Sequence, residues 1–236
     1  KEIKKEVKKS KVYLSCNFVL RENLQFKKIE KIIKKRLGKI YFIEGDYNYG
    51  RLEKIETGWR GKIPYYSVTH GGGIHLIDLI LGYLNELPYE VNSEGNKLVV
   101  KNKKFKSNDF TIGLLKFKSG KIVKISSNFG CVIPHHHSLK IYGDKGSIFH
   151  DIRGAILASS RNKTKKLLNF NYHTNNKKKL NVLKSFVEDL MNNRKKKINV
   201  NFDSIVNSML VSLAIEKSII KNKKIKINYK KLYLDD

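Results

Sequence analysis

Cysteine is scarce in the 236-residue chain: Cys16 and Cys131 are the only two, beside three prolines and one tryptophan. Two thiols cannot form the disulfide framework of a small secreted protein, so we expect a reducing, cytoplasmic setting. The most apolar stretch, residues 71–84, contains His75 and Asp78 and is shorter than the roughly 20 residues of a membrane-spanning helix. No apolar segment follows the charged first ten residues, so no signal peptide is visible.

Arginine is also scarce, at 7 of the 49 Lys and Arg residues, although the net charge is +28. Nucleic-acid interfaces exploit Arg for bidentate contacts with phosphate and guanine. Here Lys is spread along the whole chain together with Asn and Ile, a composition typical of AT-rich coding sequence. We therefore interpret the charge as solvated surface with a moderate attraction for anionic ligands. A basic nucleic-acid-binding domain is the less favoured alternative.

The common nucleotide and nucleophile motifs are missing. The sequence contains no GxGxxG fingerprint, no P-loop, no CxxC pair and no GxSxG elbow. The glycines at 71–73 precede a helical pattern without satisfying the dinucleotide fingerprint. The residues themselves therefore predict no dinucleotide-binding motif.

The apolar periodicity predicts an α+β fold. Helical spacing covers residues 22–37, 74–84, 180–192 and 202–221, and strands are predicted at 12–19, 39–49, 91–93, 109–118, 121–129, 138–142, 146–150, 155–159 and 225–228. Hairpin-linked strands with segregated helices indicate an open, mostly antiparallel β-sheet with helices on one face. We expect one domain over residues 11–230, a charged N-terminal tail or the end of an upstream domain at 1–10, and a short tail at 231–236.

The densest group of reactive side chains lies in residues 47–78, and its centre is 67–78, SVTHGGGIHLID. Three glycines permit a close backbone approach and positive φ, and a helix that begins there offers free N–H groups to an anion or a sugar hydroxyl. His75 and Asp78 are three residues apart and share a helix face. The carboxylate can bind one imidazole nitrogen and leave the other for acid–base chemistry. A buried His–Asp pair that only anchors the helix is the open alternative.

Three adjacent histidines occupy positions 135–137. Neighbouring side chains of a strand point to opposite faces, so only His135 and His137 can share one. Two ligands are fewer than a zinc site requires, and we predict no metal site. His135 and His137 are candidates for substrate contacts, with simple polarity at a strand end as the alternative.

Five further groups of residues follow one another in a recognisable order. They are 16–21 (CNFVLR) with 38–40 (GKI), 46–51 (DYNYGR) with 58–60 (GWR), 71–78 (GGGIHLID), 142–147 (YGDKGS), and 185–186 (SF) with 213–218 (LAIEKS). Together they resemble the C-terminal, substrate-binding domain of the Gfo/Idh/MocA oxidoreductases, the family of glucose–fructose oxidoreductase and inositol dehydrogenase. The resemblance covers roughly residues 11–228, and GG-x-x-H-x-x-D at 71–78 is its most specific motif.

This resemblance implies an open sheet that binds substrate and helps to form homo-oligomers through its face. The family reaction moves hydride between NAD or NADP and a hydroxyl-bearing carbon of a sugar, sugar nucleotide or polyol. His75 would be the acid–base or substrate-binding residue and Asp78 its support. The resemblance also implies that the substrate pocket is lined by Asn17, Arg21 and Tyr47. The residue pattern adds His70, His135 and His137 as candidate substrate contacts. Trp59 and Arg60 would lie near the nicotinamide.

Two departures from the family pattern limit these expectations. Many members carry an Asp four residues before the histidine, where this chain has Gly71. The family's N-terminal dinucleotide-binding half is also absent, and the chain begins with Lys1 rather than Met. We therefore expect this chain alone to bind NAD or NADP poorly and to be inactive without that partner domain. A non-catalytic remnant that serves as a binding or oligomerisation module is the main alternative.

Overall fold

The computed structural model describes residues 2–162, 167–171, 178–192 and 200–229. Within them lie six helices and nine strands, with a 3₁₀ turn at Trp59–Lys62 and a π-helical segment at Thr69–Gly73. The helices are α1 (Glu2–Ser10), α2 (Leu24–Arg36), α3 (Glu53–Glu56), α4 (Ile74–Leu84), α5 (Lys178–Met191) and α6 (Phe202–Lys221). The strands are β1 (Ile40–Asn48), β2 (Glu90–Asn96), β3 (Phe110–Lys116), β4 (Ile122–Asn128), β5 (His136–Gly143), β6 (Ser147–Asp151), β7 (Gly154–Ala158), β8 (Leu168–Phe170) and β9 (Ile225–Lys226). The tail predicted at 231–236 lies outside the described residues.

The strands form one open sheet in the order β8-β7-β6-β5-β1-β4-β3-β2-β9. Only β1 and β4 pair in parallel among the described strands, and the other pairs are antiparallel. The predicted fold class, an open and mostly antiparallel sheet, is confirmed. In the central register, Tyr47 of β1 lies between Ser127 of β4 and His137 of β5.

Helices α2, α4 and α6 cover one face of this sheet. Alternate β1 residues, including Ile43 and Tyr47, are buried on that side, whereas Glu44 on the opposite side is only partly buried. Gly45 lies under α4, because a Cβ there would come within 2.9 Å of the Ile80 side chain. The Phe26 ring of α2 contacts the rings of two histidines, His137 and His150, which places α2 over β5 and β6.

Two asparagines and a glycine define the observed helix ends. The Asn23 side chain accepts a hydrogen bond from the Gln25 N–H at the start of α2, and Asn201 accepts one from Ser204 at the start of α6. Gly38, just after α2, has φ +68°, the left-handed conformation that often ends a helix.

The predicted strand at 12–19 is wrong. This segment forms tight local turns instead, in which the Phe18 N–H donates to the Cys16 carbonyl at 2.8 Å and the Val19 N–H to the Asn17 carbonyl at 2.9 Å. Both neighbours of β1 are already occupied by β4 and β5, so a strand here could not pair at the sheet centre. Its apolar character serves packing, because Phe18 is buried against Ile74 of α4.

No helix among the described residues combines the length and the apolar character needed to cross a membrane.

Candidate functional site

The three glycines lie in a π-helical segment that continues directly into α4. A Cβ on Gly71 would clash with the Tyr66 hydroxyl, one on Gly72 would approach the Tyr47 ring to 2.5 Å, and one on Gly73 would clash with the Ser127 hydroxyl. The glycines are therefore required by close side-chain packing. None of the three glycines adopts the positive φ that this residue type permits.

The expected free N–H groups at this point are also not seen. The Gly71 N–H donates to the Ser67 carbonyl at 2.9 Å, and the Ile74 N–H donates to the Thr69 and Gly72 carbonyls. The helical backbone begins before the glycines, so these amides are satisfied within it. The wider π turn is common at functional sites.

His75 of α4 lies where this helix meets the sheet. Its ring stacks on Tyr47 with centroids 6.4 Å apart and meets the edge of Phe18 at 6.0 Å. Nδ1 is buried, and neither ring nitrogen forms a hydrogen bond with any residue in the described part of the chain. Burial lowers the pKa of His75, so the imidazole is neutral at neutral pH.

Asp78 is bound by Arg21 and not by His75. The Arg21 Nε donates to one carboxylate oxygen at 2.7 Å and a terminal nitrogen to the other at 2.6 Å. The Ser208 hydroxyl of α6 adds a third hydrogen bond at 3.3 Å. Burial raises the pKa of Asp78, and the hydrogen bonds from these two residues oppose the shift.

The expected His75–Asp78 dyad is therefore corrected by the structure. Residues three apart on a helix differ by about 60° around its axis. That difference directs His75 toward the sheet and Asp78 toward Arg21 and α6. Arg21 forms an ion pair with Asp78, and its place in a substrate pocket stays a prediction.

The strand histidines and Tyr47 form one aromatic cluster. The rings of His135 and His137 lie 5.2 and 5.0 Å from Tyr47 and 5.0 Å from each other. His136 points away, where its Nδ1 donates to the Pro134 carbonyl at 2.8 Å and its Nε2 accepts from Asn48 at 3.3 Å. The prediction that His135 and His137 share a face is confirmed. Burial raises the pKa of the Tyr47 hydroxyl, which remains protonated.

The described residues contain no cluster of three or more His, Cys, Asp or Glu side chains able to hold a metal ion.

Trp59 and Arg60 lie at the edge of the cluster. The Arg60 guanidinium lies 4.6 Å from the centre of the Trp59 ring, which is 59% exposed. Trp59 meets the edge of Tyr66 at 6.4 Å, and Tyr66 in turn meets the edge of Phe129, whose ring lies 5.9 Å from that of Tyr47. Burial raises the pKa of Tyr66 to about 12, against the opposing charge of Arg60. Asn17 is exposed in the turn before Phe18.

His70 faces α6, where its Nδ1 lies 2.6 Å from the Ser212 hydroxyl oxygen. Sequence reasoning missed Ser208, Ser212 and Glu216 of this helix. A signal was present, since these three polar residues recur every four positions along the helix and so share one face.

Comparison with known proteins identifies a known family of C-terminal domains. A family model described as the GFO/IDH/MocA C-terminal domain matches residues 26–149. No curated protein matches the chain in sequence.

Solved structures share the fold. An NAD-binding oxidoreductase from Klebsiella pneumoniae has TM-score 0.78 and 14% identity, covering 96% of this chain and 69% of its own. Scyllo-inositol dehydrogenase from Lactobacillus casei, with bound NAD(H) and scyllo-inositol, has TM-score 0.75 and 13% identity, covering 94% and 67%. UDP-N-acetylglucosamine 3-dehydrogenase from Acidithiobacillus ferrooxidans has TM-score 0.70 and 11% identity, covering 90% and 63%. The chain thus spans about two thirds of the length of these structures.

Proposed function

Because the chain belongs to the Gfo/Idh/MocA family through its C-terminal domain, we propose that it is the substrate-binding part of an NAD- or NADP-dependent oxidoreductase. Its substrate class is a sugar, a sugar nucleotide or a polyol. The observation that carries the proposal is the neutral, buried imidazole of His75 stacked on Tyr47, with no hydrogen bond to either ring nitrogen from the described residues. All of this cluster lies inside the segment that the family model matches.

The chemistry proposed for His75 is proton transfer at a substrate hydroxyl. A neutral imidazole can accept the hydroxyl proton as the carbon is oxidised and return it in the reverse direction. Tyr47 and Phe18 hold the ring from two sides, which fixes its plane relative to a bound substrate. His135 and His137, whose rings also contact Tyr47, supply polar atoms for further substrate hydroxyls.

The nicotinamide cofactor, when bound, accepts or delivers the hydride. The exposed Trp59 ring and the Arg60 guanidinium over it offer an aromatic surface and a positive charge for the nicotinamide end of an anionic dinucleotide. A GxGxxG fingerprint is absent from the sequence, so these two residues would supplement binding by another domain. Catalysis is proposed only for the complete enzyme.

The test is a titration of the 236-residue chain, followed by NMR of its histidine side chains. We expect scyllo-inositol or UDP-N-acetylglucosamine to shift the His75 and His137 resonances, and His75→Ala to weaken that binding. His136→Ala is the matched control, because His136 faces away from the cluster. The proposal fails if no polyol, sugar or sugar nucleotide perturbs His75. Micromolar binding of NADH or NADPH to this chain would contradict the assignment of cofactor binding to another domain.

We further propose that the open face of the sheet joins copies of the chain. Leu114 and Ile122 are 45% and 43% exposed there, and a cluster of aromatic rings formed by Phe42, Tyr142 and Phe149 continues the apolar surface. Exposed apolar patches on a sheet commonly mark interfaces. Sedimentation should show an oligomer that Leu114→Lys dissociates. A monomer at all concentrations, or an oligomer that the substitution leaves intact, contradicts this proposal.

A further inference from the structure

A polar row on α6 faces α4 and contains one hydrogen bond that the proposed chemistry does not use. Ser208 binds Asp78, and Ser212, one turn later, binds His70 Nδ1 at 2.6 Å. Ser212 is completely buried. The next residue of the row, Glu216, has one carboxylate oxygen that is buried and has no hydrogen-bond partner within the described ranges.

The single hydroxyl proton of Ser212 determines the direction of this bond. Serines within helices often donate to the carbonyl four residues earlier, but in the described part of the chain the Ser212 hydroxyl bonds only to His70. Glu216 is not its acceptor either. If His70 donated from Nδ1, the buried Ser212 proton would be left without an acceptor, which is costly. Ser212 therefore donates, and His70 Nδ1 accepts.

A neutral imidazole that accepts at Nδ1 carries its proton on Nε2. Burial lowers the pKa of His70 and favours the neutral ring, while the charge of Glu216 opposes this shift. Nε2 forms no hydrogen bond with any described residue. The Nε2–H is thus a donor whose partner is not supplied by these residues.

We propose that Ser212 is a positioning residue that holds His70 as the Nε2–H tautomer, so that His70 donates a hydrogen bond to a substrate oxygen. The identity of the acceptor rests on the proposed function, whereas the tautomer does not. His70 and His75 would then have different tasks: a fixed donor in one case and a proton acceptor in the other.

The experiment is ¹⁵N NMR of the imidazole nitrogens in the 236-residue chain. We expect His70 Nδ1 to resonate as an unprotonated, hydrogen-bonded nitrogen. In Ser212→Ala this resonance should move toward that of an unprotonated nitrogen without a hydrogen bond, and the Nδ1–H tautomer should become populated. Ser212→Thr keeps the hydroxyl and should give the spectrum of the unaltered chain. Ser208→Ala is the control on the same helix and should leave His70 unchanged.

Four results would overturn the proposal in whole or in part. A protonated Nδ1 in the unaltered chain refutes the tautomer even if Ser212→Ala fails to fold. An unchanged Nδ1 resonance in folded Ser212→Ala refutes the role of Ser212. Binding of scyllo-inositol or UDP-N-acetylglucosamine that shifts His75 and leaves His70 unaffected refutes the donor role. If neither ligand affects any histidine, the proposed function fails, and the donor role of His70 fails with it, whereas the tautomer result still decides the role of Ser212.

Discussion

The ion pair between Arg21 and Asp78 makes the sharpest prediction about stability. Asp78→Asn preserves the shape of the side chain and removes its charge, so the Arg21 guanidinium meets a neutral amide in place of the carboxylate. The Arg21 side chain is 16% exposed and that of Asp78 is 1% exposed, so water cannot replace the lost carboxylate fully. Breaking a buried pair costs about 3–5 kcal/mol, and the partial exposure of Arg21 favours the lower end, about 3 kcal/mol.

Urea denaturation followed by circular dichroism measures this loss. With an m value of about 2 kcal/mol per molar, a loss of about 3 kcal/mol moves the midpoint down by about 1.5 M. Glu30→Gln is the matched control, since it breaks the exposed Lys34–Glu30 pair on α2. That change should cost at most about 0.5 kcal/mol.

The double variant Arg21→Met/Asp78→Leu tests how much of the lost stability comes from leaving one charge buried without its partner. Replacing both charges by apolar groups removes the attraction and the burial penalty together, so we expect it to recover most of the stability lost in either single variant. The reasoning is refuted if Asp78→Asn is as stable as Glu30→Gln, or if the double variant loses the sum of the two single losses. A large change in the pKa of His75 in Asp78→Asn would instead support a His–Asp dyad.

Two further predictions concern α4 and the π-helical segment that precedes it. Burial lowers the pKa of folded His75 below its ordinary value of 6.5, so its contribution to stability is present above pH 6.5 and is lost as pH falls through the lower folded pKa. His75→Phe should therefore reduce the difference between the free energies of unfolding measured in urea at pH 7.5 and at pH 5.5. An unchanged difference would argue against a buried neutral ring. Gly72→Ala should destabilise the chain by about 1–3 kcal/mol because its Cβ meets the Tyr47 ring. Gly82→Ala, with its nearest neighbour 3.8 Å away, should stabilise it by about 0.5–1 kcal/mol, and equal effects of the two glycine substitutions would contradict this account.

Local periodicity carries much of the fold and part of the site. Alternation at the start of β5 suffices to predict that His137 and the preceding His135 share a face, since the side-chain period of extended chain is set by its own backbone. Helical spacing likewise predicts α2, α4 and α6. The apolar segment at 12–19 shows the limit of this reasoning, because an apolar stretch needs a free partner strand before it can join a sheet, and β4 and β5 already flank β1.

The sequence by itself determined the class of fold, the order of its motifs and the residues from which a site could be built. Tertiary structure alone decided which of those residues meet. Asp78 has His75 three positions away, yet binds Arg21 and Ser208, which are 57 and 130 residues distant in the chain. His70 binds Ser212 across 142 residues. A side chain's direction follows from local backbone geometry, but its partner depends on which distant segment packs against that side, and only the folded chain brings those segments together.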